Sequence, residues 1–133
     1  MKSKLLNVAA ILLCIVAAWS IFEGIWALVA TEGYTKSWAE MMGETVVQSP
    51  VLTMAVQFFG VYKLIGFAFI AIVALIPLRK AERWAWFSIL ILGGISAVFG
   101  IILWAPYAPL VYLLVLLLIA ALVLSAIPIF GKK

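Results

Sequence analysis

Residues 110–130 read LVYLLVLLLIAALVLSAIPIF and include no charged side chain. Three further apolar runs lie at about 5–30, 51–78 and 84–104. A run of about 20 apolar residues is long enough to cross the hydrocarbon core of a bilayer as a helix. Because lipid offers no hydrogen-bonding partners, such a segment must satisfy its own backbone groups, as a helix does. The sequence therefore predicts an all-α fold, a single-domain polytopic bundle of four transmembrane helices.

The composition excludes an ordinary water-soluble domain. Hydrophobic residues make up 68% of the 133 residues and charged residues 11%, whereas soluble domains are about half apolar and a quarter charged. The chain has no histidine and a single cysteine, Cys14, in the middle of the first run. An intramolecular disulfide is therefore impossible, and neither a metal centre nor another cofactor is expected.

Basic residues are concentrated in the segments that four spans would place on one side of a membrane. They are Lys2, Lys4, Arg79, Lys80, Arg83, Lys132 and Lys133. The only acidic residue in those segments is Glu82, whereas the first loop on the other side has Lys36 and three acidic residues. By the positive-inside rule, both termini are expected in the cytoplasm of a multi-pass cell-membrane protein. A charge pattern sorted by membrane side argues against a nucleic-acid partner.

The first run has two possible interpretations. Lys2 and Lys4, the apolar stretch after them and the small residues Val16-Ala17-Ala18 resemble a signal peptide with its cleavage site. The apolar character nevertheless continues to Ala30, beyond the length of a signal-peptide core. A retained first transmembrane helix is therefore the favoured interpretation.

The only sizeable segment outside the runs is the outer loop 31–50. Within it, Ser37-Trp38-Ala39-Glu40 fits a capping box, in which the serine caps backbone N–H groups and the glutamate reaches back. Trp38, Met41 and Met42 would then form the apolar side of a short helix on the membrane surface. The loop is either an ordinary surface turn that seals the bundle or a lid or docking helix.

Two ionisable side chains, Glu23 and Lys63, lie well inside apolar runs. A charge at that depth is costly unless it is paired or hydrated. Both fall in the outer half of their spans, so we expect them to form a pair, with Trp19 and Trp26 on the helical face of Glu23. The pair either holds the helices in register or forms a protonation or substrate site.

Small residues predict where helices pack closely. Gly60 and Gly66 flank Lys63 at helical spacing and would allow close approach of a neighbouring helix or ligand. In the third run, Gly93, Ser96 and Gly100 belong to small-xxx-small patterns, which are typical of close helix packing.

The segment Arg79-Lys80-Ala81-Glu82-Arg83-Trp84-Ala85-Trp86 resembles the basic turn and tryptophan-rich start of the third helix in small prokaryotic four-helix membrane proteins of the broad DoxX-like group. Those proteins often have glycine before the Glu-Arg-Trp step, where this chain has Ala81. The resemblance implies the four-helix architecture and little about activity, because most of the group is uncharacterised.

The first span is also similar to that of small multidrug resistance transporters, which have a glutamate placed like Glu23. Lys63 and the long first loop depart from that pattern.

Two functional hypotheses follow. The first is a non-enzymatic accessory or structural subunit of a larger membrane assembly, with the lipid bilayer, other membrane subunits or a second copy as partners. It depends on the minimal loops and on the lack of a recognisable catalytic motif. The alternative is a small proton-coupled transporter or channel-like protein that uses Glu23 with Lys63. A lipid- or quinone-directed membrane enzyme is the weakest hypothesis, since the spans contain no carboxylate pair.

Overall fold

The computed structural model describes residues 2–131, and the regular structure of these residues is entirely helical. The helices are α1 (Lys2–Val29), α2 (Thr31–Met41), α3 (Pro50–Val73), α4 (Arg83–Leu103) and α5 (Leu110–Phe130). A π-helical turn, Ala74–Leu78, continues α3. Four helices are long and apolar enough to cross a membrane: α1, α3 together with its π turn, α4 and α5. Helix α2 is not among them. The prediction of an all-helical chain with four candidate spans is confirmed.

The chain divides into two compact units. The first, Ala18–Phe67, contains the second part of α1, all of α2 and the first part of α3. We call it the pair unit because it contains both Glu23 and Lys63. The second, here the terminal unit, comprises the described residues before Ala18 and after Phe67. Its core is formed by buried apolar side chains, among them Ala9, Leu13, Ala74, Leu78, Ala85, Ile89 and Ala121.

A tight turn joins α3 to α4 in the terminal unit. Pro77 has no N–H to donate, and α3 widens into the π turn around it. The N–H of Glu82 bonds to the carbonyl of Pro77 at 3.1 Å, and the N–H of Ala81 bonds to that of Leu78 at 2.9 Å. These two bonds form a Schellman motif, which places one residue in the left-handed region. That residue is Ala81, with φ of 60°, a conformation that glycine adopts at lower cost.

Helix α4 packs against α5 through two of the small residues predicted for that purpose. A Cβ on Gly93 would lie 2.9 Å from Leu118 Cδ1, and a Cβ on Gly100 would lie 3.3 Å from Val111 Cγ1. Ser96 is exposed instead, at the edge of the helical face that contains the two glycines. Ser96 therefore takes no part in the packing of α4 on α5 that the described residues show, and its packing against another helix stays a prediction.

Helix α2 begins at Thr31, seven residues earlier than a capping box with Ser37 as the N-cap predicts. Ser37 therefore lies inside the helix, and the prediction of a capping box at Ser37 is wrong. At this start, two threonine hydroxyls donate hydrogen bonds to carbonyls one turn back: Thr31 Oγ1 to Ala27 at 2.7 Å and Thr35 Oγ1 to Thr31 at 2.8 Å. Such bonds tend to bend a helix, and the chain bends at Ala30, between α1 and α2.

Local signals also define the segment between α2 and α3. Gly43 follows the end of α2 with φ of 73°, the left-handed position of a C-terminal cap. Ser49 Oγ accepts a hydrogen bond of 3.1 Å from the N–H of Leu52, and Pro50 occupies the first helical position. A serine cap followed by proline is a favoured helix start. The serine side chain accepts a hydrogen bond from a backbone N–H that has no partner within the helix. Proline has no N–H, and the N–H of the first helical residue would have no partner within the helix.

Candidate functional site

Glu23 of α1 and Lys63 of α3 form a direct ion pair. Lys63 Nζ lies 2.9 Å from Glu23 Oε2 and donates a hydrogen bond to it. The Glu23 side chain is 12% exposed and the Lys63 side chain 22%. Both helices are apolar, so either charge without the other would be left uncompensated in apolar surroundings. The direct contact between these two groups is the one that the sequence predicts.

Two glycines bring the backbones of α1 and α3 together beside the pair. A Cβ on Gly24 would lie 2.8 Å from the carbonyl oxygen of Gly60, and a Cβ on Gly60 would lie 2.8 Å from that of Gly24. Real Cβ atoms do not approach backbone oxygens this closely, so each position requires glycine. Each glycine is close in sequence to a member of the pair, and the close helix contact therefore positions the carboxylate and the ammonium group.

The bend at Ala30 adds a third residue to the site. Tyr34 Oη donates a hydrogen bond of 3.4 Å to Glu23 Oε2, the same oxygen that Lys63 contacts. If α1 and α2 formed one straight helix, eleven residues would separate Tyr34 from Glu23 by about 16 Å along the axis. A tyrosine side chain does not span that distance, so the bend is what returns Tyr34 to the carboxylate.

Aromatic rings surround the phenol and the ammonium group. Tyr34 is 3% exposed. Its ring meets Trp26 edge-on at 5.0 Å, and the rings of Trp38 and Phe59 lie at 6.2 and 6.1 Å. Lys63 Nζ lies 5.2 Å from the centre of the Phe59 ring, a cation–π contact. The ring beside the lysine is thus a phenylalanine of α3.

The surroundings of Tyr34 keep its phenol protonated. Burial raises the pKa of Tyr34 above its ordinary value, and the negative charge of Glu23 raises it further. A hydrogen bond with Trp38 acts in the opposite direction. Tyr34 is therefore a neutral donor to Glu23, while Lys63 supplies the compensating charge. The result is a neutral, internally paired cluster that connects α1, α2 and α3.

The structure separates the predicted site residues into two groups. Trp26 belongs to the cluster through its contact with Tyr34. Trp19 is 39% exposed, and its ring lies 5.8 Å from that of Phe22 on the outside of α1. Gly60 makes the predicted close approach, but among the described residues nothing lies within 4 Å of a Cβ built on Gly66. Among the described residues Gly66 thus makes no close helix contact, and its packing against another helix or a ligand stays a prediction.

Sequence reasoning missed two residues of the cluster, Gly24 and Tyr34. Gly24 follows Glu23 directly, and a glycine beside a charged residue on each of two helices would have been a usable signal. Tyr34 offered no such signal, because its aromatic character equally suits an anchor at the membrane interface. Its place in the cluster depends on the bend at Ala30.

Comparisons of the chain with protein-family models, with curated protein sequences and with solved structures found no match in any of the three.

Replacing Tyr34 by phenylalanine should reduce the free energy of unfolding by about 1 kcal/mol, because the hydrogen bond to Glu23 is lost while the ring packing remains. Tyr62→Phe is the matched control, since the Tyr62 side chain is 77% exposed. Unfolding in detergent, followed by circular dichroism, measures both changes. Equal stability of Tyr34→Phe and the unsubstituted protein would contradict the role given to the phenol.

The same variant should alter the response to alkaline pH. Because the pKa of Tyr34 is raised in the folded protein, the unfolded chain releases the phenol proton first, from about pH 10 upward. The contribution of Tyr34 to stability is thus complete below that pH and declines above it. Comparing unfolding at pH 8 and pH 11 should show a smaller alkaline loss for Tyr34→Phe than for the unsubstituted protein.

Proposed function

We propose that this chain is a multi-pass membrane protein that acts as a non-enzymatic accessory subunit of a larger membrane assembly. The observation that supports the proposal most directly is the exposure of α4. Only 11% of its most apolar stretch is buried within the chain. A membrane helix with so little coverage is available for contact with other membrane proteins.

The exposed side of α4 also has the shape that helix packing uses. Nothing among the described residues lies within 4 Å of a Cβ built on Gly94. This glycine forms part of a shallow apolar groove lined by Leu90, Ile91, Gly94, Ile95, Val98 and Phe99. Since small residues allow helix backbones to approach in lipid, a helix of another subunit is the occupant that we propose for this groove.

The hydrogen bonds within the cluster favour a structural role over a transport role. Glu23 receives hydrogen bonds from Lys63 and Tyr34 on the same oxygen. Both donors belong to this chain, so the carboxylate already has partners that hold α2 and α3 against α1. The cluster is therefore suited to holding α1, α2 and α3 in one arrangement, and proton-coupled transport by Glu23 is the less favoured function.

The proposed orientation has both termini in the cytoplasm. Its support is the charge distribution, since Arg79, Lys80 and Arg83 lie in or next to the turn between α3 and α4. Lys2 and Lys4 at the start of α1 belong to the same side under this proposal. Lys132 and Lys133, which the sequence assigns to that side as well, lie outside the described residues.

We propose that the turn also relates this chain to the DoxX-like proteins. The left-handed backbone of Ala81 supplies a physical reason for the glycine that those proteins often have before the Glu-Arg-Trp step. This supports a relation in architecture, and the subunit function does not depend on it.

Replacing Gly94 by leucine tests the subunit proposal. The new side chain would fill the groove on α4 without touching the chain's own core, so the assembly should be lost while the chain itself keeps its stability or gains up to about 1 kcal/mol from helix propensity. Native mass spectrometry after extraction in mild detergent should show an assembly for the unsubstituted protein and a single chain for Gly94→Leu.

Gly93→Leu is the matched comparison for this test, because a Cβ on the adjacent Gly93 would lie 2.9 Å from Leu118. That variant should destabilise the chain itself by about 1–3 kcal/mol through overpacking. Recovery of the unsubstituted protein from its native membrane as a single chain, with no co-purifying partner, would contradict the proposal.

A further inference from the structure

A second apolar groove lies between α4 and α5, near the C-terminal end of α5. It is lined by Trp86, Leu122, Val123, Ala126, Ile127 and Gly131 and has a volume of about 480 Å³. The indole N–H of Trp86 donates a hydrogen bond to the carbonyl of Leu122 at 2.9 Å. This polar group therefore already has a partner within the chain. The groove lies along two candidate membrane spans and is therefore open to the acyl region of a bilayer.

Arg83 places a positive charge close to residues that line this groove. Its guanidinium carbon lies 5.7 Å from the centre of the Phe130 ring. Phe130 in turn meets Trp86 edge-on at 5.2 Å and directly precedes Gly131. Phe130 therefore connects the guanidinium to Trp86 and Gly131, two residues that line the groove. Arg83 itself is exposed at the first residue of α4.

The surroundings of Arg83 are suited to an anionic group. Arg79 and Lys80 are exposed in the turn that precedes it, and Arg79 Nε donates to Asn7 Oδ1 at 2.9 Å. The nearby acid, Glu82, accepts a hydrogen bond from the Trp84 indole. Trp84 is 52% exposed next to these charges, as expected of a residue at the headgroup level of a bilayer. The turn before the groove-lining residue Trp86 thus presents three exposed cations beside a tryptophan suited to the headgroup level.

We propose that this groove binds an anionic phospholipid, with an acyl chain against Trp86, Ala126 and Ile127 and the phosphate on the Arg83 guanidinium. Guanidinium groups recognise phosphate through paired, charge-assisted hydrogen bonds. Basic residues at the ends of grooves between membrane helices favour anionic over zwitterionic headgroups. The positive charge beside the groove and the apolar lining together match a lipid of this class, since such a lipid has both an anionic headgroup and an acyl chain.

Lipid titration followed by native mass spectrometry tests the proposal. The purified protein in detergent should bind phosphatidylglycerol about tenfold more tightly than phosphatidylcholine of the same chain length, a difference of about 1.4 kcal/mol. Arg83→Gln should abolish this preference, and Arg83→Lys should retain part of it. Lys36→Gln is the matched control, because it removes the same charge far along the chain and should leave the preference unchanged.

The groove is tested separately from the charge. Ala126→Leu should fill the groove and reduce the binding of both lipids several-fold. This second variant tests the proposal even if Arg83→Gln does not fold. Circular dichroism establishes folding of each variant. Equal affinity for the two lipids, an unaltered preference in Arg83→Gln, or unaltered lipid binding by Ala126→Leu would overturn the proposal. Displacement of the lipid by soluble glycerol phosphate alone would overturn it as well, since the acyl chain would then contribute nothing.

Discussion

Removing one member of the ion pair, as in Glu23→Ala or Lys63→Ala, should lower the free energy of unfolding by about 3 kcal/mol. The remaining charge would lie without a counter-ion between apolar helices, and that penalty exceeds the loss of the contact itself. We expect a value at the low end of the range for broken buried pairs because Lys63 retains 22% exposure of its side chain. Unfolding in mixed micelles of mild detergent and dodecyl sulfate, followed by circular dichroism, provides the measurement.

The double variant Glu23→Met with Lys63→Met provides the decisive comparison. It removes both charges and keeps similar side-chain volumes, so it should be clearly more stable than either alanine variant. Lys36→Ala controls for the loss of an exposed charge and should change stability by less than about 0.5 kcal/mol. If the double variant is as unstable as the sum of the two single variants, uncompensated charge is not the source of the effect.

Gly60→Ala should destabilise the pair unit by about 1–3 kcal/mol, because its new Cβ would lie 2.8 Å from the backbone oxygen of Gly24. A backbone oxygen has no rotamer through which it can move away, so α1 and α3 must separate. That separation would also lengthen the 2.9 Å contact between Lys63 and Glu23. Gly60→Leu should have a still larger effect.

Gly66→Ala is a matched control on the same helix. A Cβ at position 66 meets nothing within 4 Å among the described residues, so only the helix propensity changes. Alanine exceeds glycine in propensity by about 1 kcal/mol, and Gly66→Ala should therefore be neutral or slightly stabilising. Equal destabilisation by Gly60→Ala and Gly66→Ala would contradict the close approach of α1 and α3.

Helix packing could be predicted from small residues only in part. Gly93 and Gly100 pack against α5, whereas Ser96, in the same pattern, is exposed. Gly60 contacts the backbone of α1, and Gly66, less than two turns later, faces open space within the chain. A small side chain permits close approach on any face of a helix. Which face meets a neighbour depends on the positions of the other helices, which local sequence does not encode.

The sequence by itself determined the four apolar helices and the pairing of Glu23 with Lys63. Both follow from a strong physical penalty, since unpaired backbone groups and unpaired charges are costly in lipid and allow few alternatives. The tertiary structure alone decided the place of Tyr34 in the cluster. That place depends on the bend at Ala30 and on one hydrogen bond to Glu23, an interaction of about 1 kcal/mol that many other arrangements could satisfy equally well.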